Sequence, residues 1–369
     1  DFKHTPYGDL ALISMRGCED IASQVDYYLK QWRSIPEDES FVVSANCPRF
    51  GTGEAKAVLK HTARGLDAYI LCDCFNYSVT YKMYGQTVPM SPDDHYQDLK
   101  RVIAALGGKA RRITVIMPML YEGRQHRRTA RESMDCAMAL QELVAMGVKN
   151  IITFDAHDPR VQNAIPLKGF ETVQPAYQFI KGILREVKDL KIDAEHMMII
   201  SPDEGGTNRA VYLANVLGLD MGMFYKRRDY SKIVDGRNPI VAHEFLGSSV
   251  EGKDVIIIDD MISSGESMLE VATNLKERGA KRIIANATFP LFTSGLEKFD
   301  KAVADGILDY VTGTNLTYRM PELLTRDWYV DVDVSKYAAY FVVALNHDMS
   351  VSSIIDPIKK IEALLASRK

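Results

Sequence analysis

The sequence has no apolar run that reaches the roughly 18 residues a membrane-spanning helix needs, and nothing in it resembles a secretory leader, so no membrane partner is expected. An excess of one charge is also missing. The 45 Lys and Arg stand against 49 Asp and Glu, a formal charge of −4, with the signs interspersed, so no nucleic-acid partner is implied. Cysteine is sparse and odd in number. The five (Cys18, Cys47, Cys72, Cys74 and Cys136) lie mostly in or beside apolar stretches, which suits buried thiols in a reducing, cytoplasmic compartment. Cys72-Asp-Cys74 has no second Cys/His pair at finger-like spacing, which favours core thiols over a zinc site. Low-complexity tracts, a solenoid period and long linkers are absent as well. The chain opens on Asp1 rather than Met, which leaves its natural start open.

What is there is ordinary globular composition, 46% hydrophobic and 25% charged, in a chain of 369 residues. That exceeds the roughly 250–300 residues at which single cores stop growing, so two packed domains are expected. The strongest organising signal is a unit that occurs three times: an amphipathic helix, a glycine break with a lysine, then a β-branched run. It ends at Gly107-Gly-Lys-Ala-Arg-Arg-Ile-Thr-Val-Ile-Met-Pro118, at Gly147-Val-Lys-Asn-Ile-Ile-Thr-Phe-Asp-Ala-His157 and at Gly279-Ala-Lys-Arg-Ile-Ile-Ala-Asn-Ala-Thr-Phe289. Glycine suits a left-handed helix C-cap, lysine complements the helix dipole, and a continuous apolar run suits a strand buried on both faces. These are the marks of an α/β protein with mainly parallel sheets flanked by helices. Two further strands, Met197-Met-Ile-Ile200 and Val255-Ile-Ile-Ile258, run straight into polar, glycine-containing loops. Two similar α/β lobes are expected, with the boundary at the Pro166 and Gly169 loop, giving domains 1–168 and 169–369.

The sharpest motif is Val255-Ile-Ile-Ile-Asp-Asp-Met-Ile-Ser-Ser-Gly-Glu-Ser-Met268. A buried strand delivers Asp259 and Asp260, and a Ser/Gly-rich loop then opens a helix whose N-terminal N–H groups suit a phosphate. Ser263, Ser264 and Ser267 can add hydroxyl donors around Gly265 and Glu266, and the two acids can accept from adjacent ribose hydroxyls. Diol readers and a phosphate cradle a few residues apart match one ligand, a ribose 5-phosphate. The bland alternative, in which Ser264 merely caps the helix, leaves two acids ending an apolar strand without partners.

This segment resembles the phosphoribosyl-pyrophosphate loop of the type I phosphoribosyltransferase fold, and from about Leu12 to about Asp356 the chain resembles the ribose-phosphate pyrophosphokinases. The resemblance implies two tandem phosphoribosyltransferase-type domains. It implies transfer of the β,γ-diphosphoryl group of ATP to the C1 hydroxyl of ribose 5-phosphate, with Mg²⁺ as cofactor. It also implies a homo-oligomer built from dimers, commonly a hexamer.

The other motifs are carried over residue by residue. Pro48-Arg-Phe-Gly-Thr-Gly-Glu54 resembles the family's adenine-contacting hairpin, so Phe50 would stack on adenine and Glu54 would accept from its amino group; alone it is a Gly-rich turn. Arg124-Gln-His-Arg-Arg128 packs cations suited to a triphosphate, and by resemblance Arg124, Gln125 and Arg127 contact ATP. His157, in Asp155-Ala-His-Asp158, matches a histidine that helps hold the nucleotide-bound metal. Asp203, in Ser201-Pro-Asp-Glu-Gly-Gly206, matches an aspartate beside the ribose and its metal. Lys226-Arg-Arg228 matches the start of the catalytic flexible loop, which makes Lys226 and Arg228 the catalytic candidates. Asp348-Met-Ser-Val-Ser-Ser-Ile-Ile-Asp356 resembles the family's closing segment.

Departures are equally specific. Glu266 stands in the phosphate loop where the family has a small residue, and a carboxylate there weakens phosphate binding unless it points away. His126 replaces an acid, Thr52 stands for Asp or Asn, Arg131-Glu-Ser-Met-Asp-Cys-Ala137 lacks the family's Pro-Ile-x-Ala-Lys run, and the loop over 229–247 is longer than usual. Two rivals share the scaffold: a non-catalytic regulatory homologue, and a transferase acting on another ribose-phosphate acceptor. The first predicts loss of at least one of Lys226, Arg228, His157 and Asp203, all of which are present.

Overall fold

A computed structural model describes residues 4–234 and 239–368. It divides into two compact units. The first runs to Pro175 and takes in Asn315–Tyr318 and Asp333–Asp356; the second holds Ala176–Thr314, Arg319–Val332 and the residues from Pro357 on.

The first unit is a seven-stranded sheet in the order β3-β2-β1-β4-β7-β8-β9. Its strands are β1 (Asp9–Ser14), β2 (Val42–Asn46), β3 (Val58–Leu59), β4 (Leu66–Leu71), β7 (Arg112–Ile116), β8 (Asn150–Phe154) and β9 (Gly169–Val173). All pairs are parallel except β2 with β3. Between β4 and the next helix stands a separate hairpin, β5 (Thr80–Met83) and β6 (Gln86–Pro89). Helices α1 (Glu19–Arg33), α2 (Pro92–Leu106) and α3 (Asp135–Ala145) connect the strands. Helix α2 shows why such a segment is helical. Pro92 fills its first turn, Ser91 and Asp94 close a capping box, and Gly107 ends it at φ 57.

The second unit repeats that order as β12-β11-β10-β13-β14-β15-β16. Its strands are β10 (Met197–Ser201), β11 (Asp220–Arg228), β12 (Ile240–Leu246), β13 (Asp254–Ile262), β14 (Ile283–Pro290), β15 (Tyr310–Thr314) and β16 (Tyr329–Val332), with only β11 and β12 antiparallel. Helices α4 (Ala176–Glu186), α5 (Thr207–Leu217), α6 (Glu266–Glu277), α7 (Glu297–Ala304), α8 (Pro321–Leu324) and α9 (Ser335–Asn346) follow in the chain, the last belonging to the first unit. β10 and β14 are buried along their whole length, as continuous apolar runs require. Burying one Ile such as Ile257 is worth up to roughly 1.5–3 kcal/mol. In each sheet the order in which strands are added reverses between the parallel neighbours β1 and β4, and β10 and β13, and ligands in open α/β sheets bind at the carboxyl ends beside that point.

Three expectations need correction. The division at 168/169 falls one strand early, because β9 hydrogen-bonds to β8 and is the edge of the first sheet. The C-terminal part does not stay with the second unit. Helix α9 packs on α1, where Trp32 and Tyr340 stack at 4.5 Å, and Arg112 pairs with Asp348 at 2.9 Å. The stretch over 229–247 is not one loop, since 240–246 forms β12 and returns along β11; residues 235–238 lie outside the described part. The five cysteines are all buried and unpaired, and burial pushes the Cys47 and Cys136 thiols up to about 12. Among the described residues no helix is long and apolar enough to cross a membrane.

Candidate active site

In the second unit, β13 carries Asp259 and Asp260 to its carboxyl end and the chain then turns into α6. Asp260 is 3% exposed, and its own N–H donates to Asp259 Oδ1 at 2.8 Å. Burial first, then the neighbouring Asp260 carboxylate, raise the Asp259 carboxyl well above the usual range, against the pull of Arg209 in the first turn of α5. The protonated form of Asp259 is favoured in the empty site, and hydroxyl groups or cations that enter can satisfy the two acids. Arg209 is the residue that sequence reasoning passed over: it is 8% exposed, but a basic residue near a helix start reads as solvated.

The loop after the acids leaves the start of α6 without a side-chain cap. Gly265, at φ 80, is the N-cap of α6 and has no side-chain cap, so the first-turn N–H groups are not closed off by a cap. A Cβ on Gly265 would lie 2.2 Å from Phe299, so only glycine fits. Ser263 lies against the turn after β14, where Thr293 N–H donates to Ser263 O at 2.9 Å and the two hydroxyls are 3.3 Å apart. Ser264 Oγ accepts weakly from Glu266 N–H at 3.5 Å, which leaves the capping role to Gly265, and Ser267 is exposed in the first turn. The Glu266 carboxylate turns to Lys298 Nζ at 2.8 Å, and that partner holds it below the usual carboxylate range.

Asp203 follows β10, the strand beside β13. It is exposed, and its Oδ1 accepts from Gly206 N–H at 2.8 Å while Ser201 Oγ donates to its carbonyl at 2.7 Å. The same turn brings Gly205 and Gly206 to the start of α5.

Lys226 and Arg228 end β11, exposed, with a bulge between Arg227 and Arg228. Arg227 pairs with Glu244 at 2.7 Å, and Tyr225 donates to the same carboxylate, so Arg227 belongs to the face opposite Lys226. Lys226 sits directly across from His243, whose Nε2 lies 3.4 Å from Glu270 on α6. The guanidinium of Arg278, at the end of α6, covers the Phe245 ring at 5.2 Å. The β11–β12 arm therefore lies along the helix that carries the phosphate loop.

The first unit holds the remaining residues. The arginine loop after β7 is pinned by Tyr121, which stacks on Tyr96 at 4.3 Å and donates to Asp93. Glu122 then takes φ 56, a strained value for a non-glycine residue. Arg124 and Arg127 are exposed, while Gln125 Nε2 donates to Arg127 O and Ser133 O and so shapes the loop. After β8, Asp155 is strained at φ 44 and His157 is exposed. His126 joins the two loops: its ring is 5.5 Å from that of His157, and its Nε2 is 3.5 Å from Asp158. Hydrogen bonds from Arg160 hold Asp158 down at about 2.

Phe50 and Glu54 lie on a tight turn in which Phe50 N–H donates to Glu54 O at 2.7 Å and Thr52 Oγ1 donates to Glu54 at 3.0 Å. Phe50 is 55% exposed. The turn rests on the β5–β6 hairpin through Tyr84 N–H to Gly51 O at 2.8 Å, and Arg49 is clamped by Asp98 at 2.9 and 3.0 Å.

Among the described residues no three His, Cys, Asp or Glu side chains gather into a cation cage. The exposed Asp203 carboxylate suits a Mg²⁺ ion of the kind that takes one or two protein carboxylates and finds its other ligands in substrate phosphates and water.

A parallel sheet whose central strand ends in paired acids before a glycine-capped, anion-receiving helix defines a phosphoribosyltransferase-type protein, and the chain has two sheets of that order. Residues 169–304 match the phosphoribosyl transferase domain, and residues 10–147 match the N-terminal domain of ribose phosphate pyrophosphokinase. A ribose-phosphate pyrophosphokinase of Ralstonia nicotianae is 31% identical over 271 residues, 72% of this chain and 76% of that protein. One of Vibrio cholerae is 28% identical over 317 residues, covering 85% and 91%. The fold of phosphoribosylpyrophosphate synthetase from Mycobacterium smegmatis superimposes with a TM-score of 0.73 at 22% identity, over 92% of this chain and 99% of that one. The chain belongs to the ribose-phosphate pyrophosphokinase family, and it is a transferase of that family.

Proposed function

We propose that this protein transfers the β,γ-diphosphoryl group of ATP to the C1 hydroxyl of ribose 5-phosphate. The C1 oxygen forms a bond to the β-phosphorus, the bond from that phosphorus to the α,β-bridging oxygen breaks, and AMP leaves while the hydroxyl proton is released. The observation that carries the reading is the Asp259–Asp260 pair set directly before the loop that ends at Gly265.

Asp259 and Asp260 accept from the ribose hydroxyls and orient C1, and the residues from Ser263 to Ser267 hold the 5-phosphate. Arg124, Gln125, Arg127 and His157 hold the triphosphate, and Phe50 and Glu54 read adenine. Lys226 and Arg228 close over the charge that develops on the moving group, which is how a reaction with little covalent chemistry is accelerated. His157 would hold the nucleotide's Mg²⁺ and Asp203 would hold the metal beside the ribose, where the ion would supply neutralisation of phosphate charge. Closing the arm excludes water and limits loss of ATP by hydrolysis. The working form is a homo-oligomer built from dimers, in which the adenine turn serves a neighbouring subunit.

The test is an assay of the purified protein with ATP, Mg²⁺ and ribose 5-phosphate, scoring AMP and the pyrophosphorylated sugar by mass, with Lys226→Ala as control. Product that disappears in the variant supports the reading. No product from the wild-type protein overturns it.

A further inference from the structure

The phosphate loop contains its own anion. Glu266 occupies the first position of α6, where the helix dipole and the free N–H groups that would hold a substrate phosphate are concentrated. Its carboxylate is held by Lys298 Nζ at 2.8 Å, from the first turn of α7. The neighbouring turn is fixed to the loop from the same side: Phe292 N–H donates to Ile262 O at 3.0 Å, Thr293 N–H to Ser263 O at 2.9 Å, and Phe299 fills the space over Gly265. Lys298 is therefore carried on a rigid wall of the phosphate cradle, while its long side chain is free to move.

The pair is exposed, with 58% of the Lys298 side chain and 69% of the Glu266 side chain open to solvent. Such pairs contribute little, so their exchange for a stronger partner is easy. A phosphate monoester carries nearly two negative charges against the one of a carboxylate and offers three acceptor oxygens.

We propose that Lys298 is a ribose 5-phosphate-binding residue, parked on Glu266 in the empty loop and transferred to the 5-phosphate when the sugar enters. This rests on the diphosphokinase reading. Glu266 then acts as a specificity element. A dianion at the helix start takes Lys298 from it, whereas a sugar without the phosphate leaves the Lys298–Glu266 pair closed and gains nothing from the ammonium.

The test compares Lys298→Ala, Lys298→Arg and Glu266→Gln in steady-state kinetics and in calorimetric titration with ribose 5-phosphate. Lys298→Ala is expected to raise KM for ribose 5-phosphate about tenfold while KM for ATP stays at the wild-type value. Lys298→Arg restores most of the loss, and Glu266→Gln lowers KM for ribose 5-phosphate by freeing the ammonium. An unchanged KM for ribose 5-phosphate in Lys298→Ala, or an equal rise for both substrates, overturns the assignment. A wild-type protein that binds ribose 5-phosphate but forms no product would sink the diphosphokinase reading alone, and the titrations of the same variants would still decide the role of Lys298.

Discussion

His243 reaches from β12 to Glu270 on α6, 3.4 Å from Nε2 to Oε1, one helical turn beyond Glu266 and directly across the ladder from Lys226. This contact ties the arm that carries the proposed catalytic cations to the helix that carries the phosphate loop. His243→Ala is expected to lower kcat by about two- to fivefold, the scale set by a partly exposed ion pair, and to leave KM for ribose 5-phosphate unchanged. Stopped-flow or steady-state rates check this; a wild-type kcat contradicts the role of the tie.

Gly265 cannot be replaced. Gly265→Ala would hold a side chain at φ 80 and drive its Cβ to 2.2 Å from Phe299. A loss of about 1–3 kcal/mol in urea unfolding is expected, with ribose 5-phosphate binding abolished. Phe299→Leu in the same chain should recover part of the stability by opening room.

The raised Asp259 carboxyl makes a signed pH prediction. A carboxyl whose folded pKa lies above its unfolded value favours the folded state at low pH, and that contribution is lost as pH rises from the unfolded value through the folded one. Asp259→Asn keeps an acceptor for the Asp260 N–H, adds a donor toward the Asp260 carboxylate and carries no charge. Its Tm should exceed that of the wild-type protein at pH 8, with the difference shrinking toward pH 4, although activity is lost. A difference that does not vary with pH contradicts the raised Asp259 carboxyl.

The turn proposed to read adenine contains Arg49, which is 7% exposed at its side chain and paired with an Asp98 side chain that is 5% exposed. Asp98→Ala leaves that guanidinium buried and uncompensated, at a cost of about 3–5 kcal/mol in chemical unfolding. Where enough folded protein remains to assay, KM for ATP should rise more than KM for ribose 5-phosphate.

Particular residues explain what was legible in the sequence. The run from Val255 to Ile258, followed by two acids and a glycine loop, announces a buried strand and an anion site because the polar residues change at a fixed point. Gly107, Gly147 and Gly279 announce helix ends because their positive φ angles suit few other residues. β12 was missed because its residues sit in a polar stretch with little strand pattern of their own, and pairing with β11 supplies the order. Residues 333–356 join the first unit through contacts such as Asn346 Nδ2 to Asp67 Oδ2 at 2.8 Å, which no local pattern announces. Arg209 and Lys298 carry no local signal because their partners, Asp259 and Glu266, are far away in the chain. The partner of the Glu266 carboxylate, left open by the sequence, is Lys298 on α7.

The most direct test of the central claim is the fate of an isotope. ATP labelled with ¹⁸O at the α,β-bridging oxygen is incubated with ribose 5-phosphate and Mg²⁺, and the products are weighed by mass spectrometry. Attack of the C1 oxygen on the β-phosphorus predicts that the label leaves with AMP, with an unlabelled pyrophosphorylated sugar. Label in the sugar product, or AMP released without a sugar product, would contradict it.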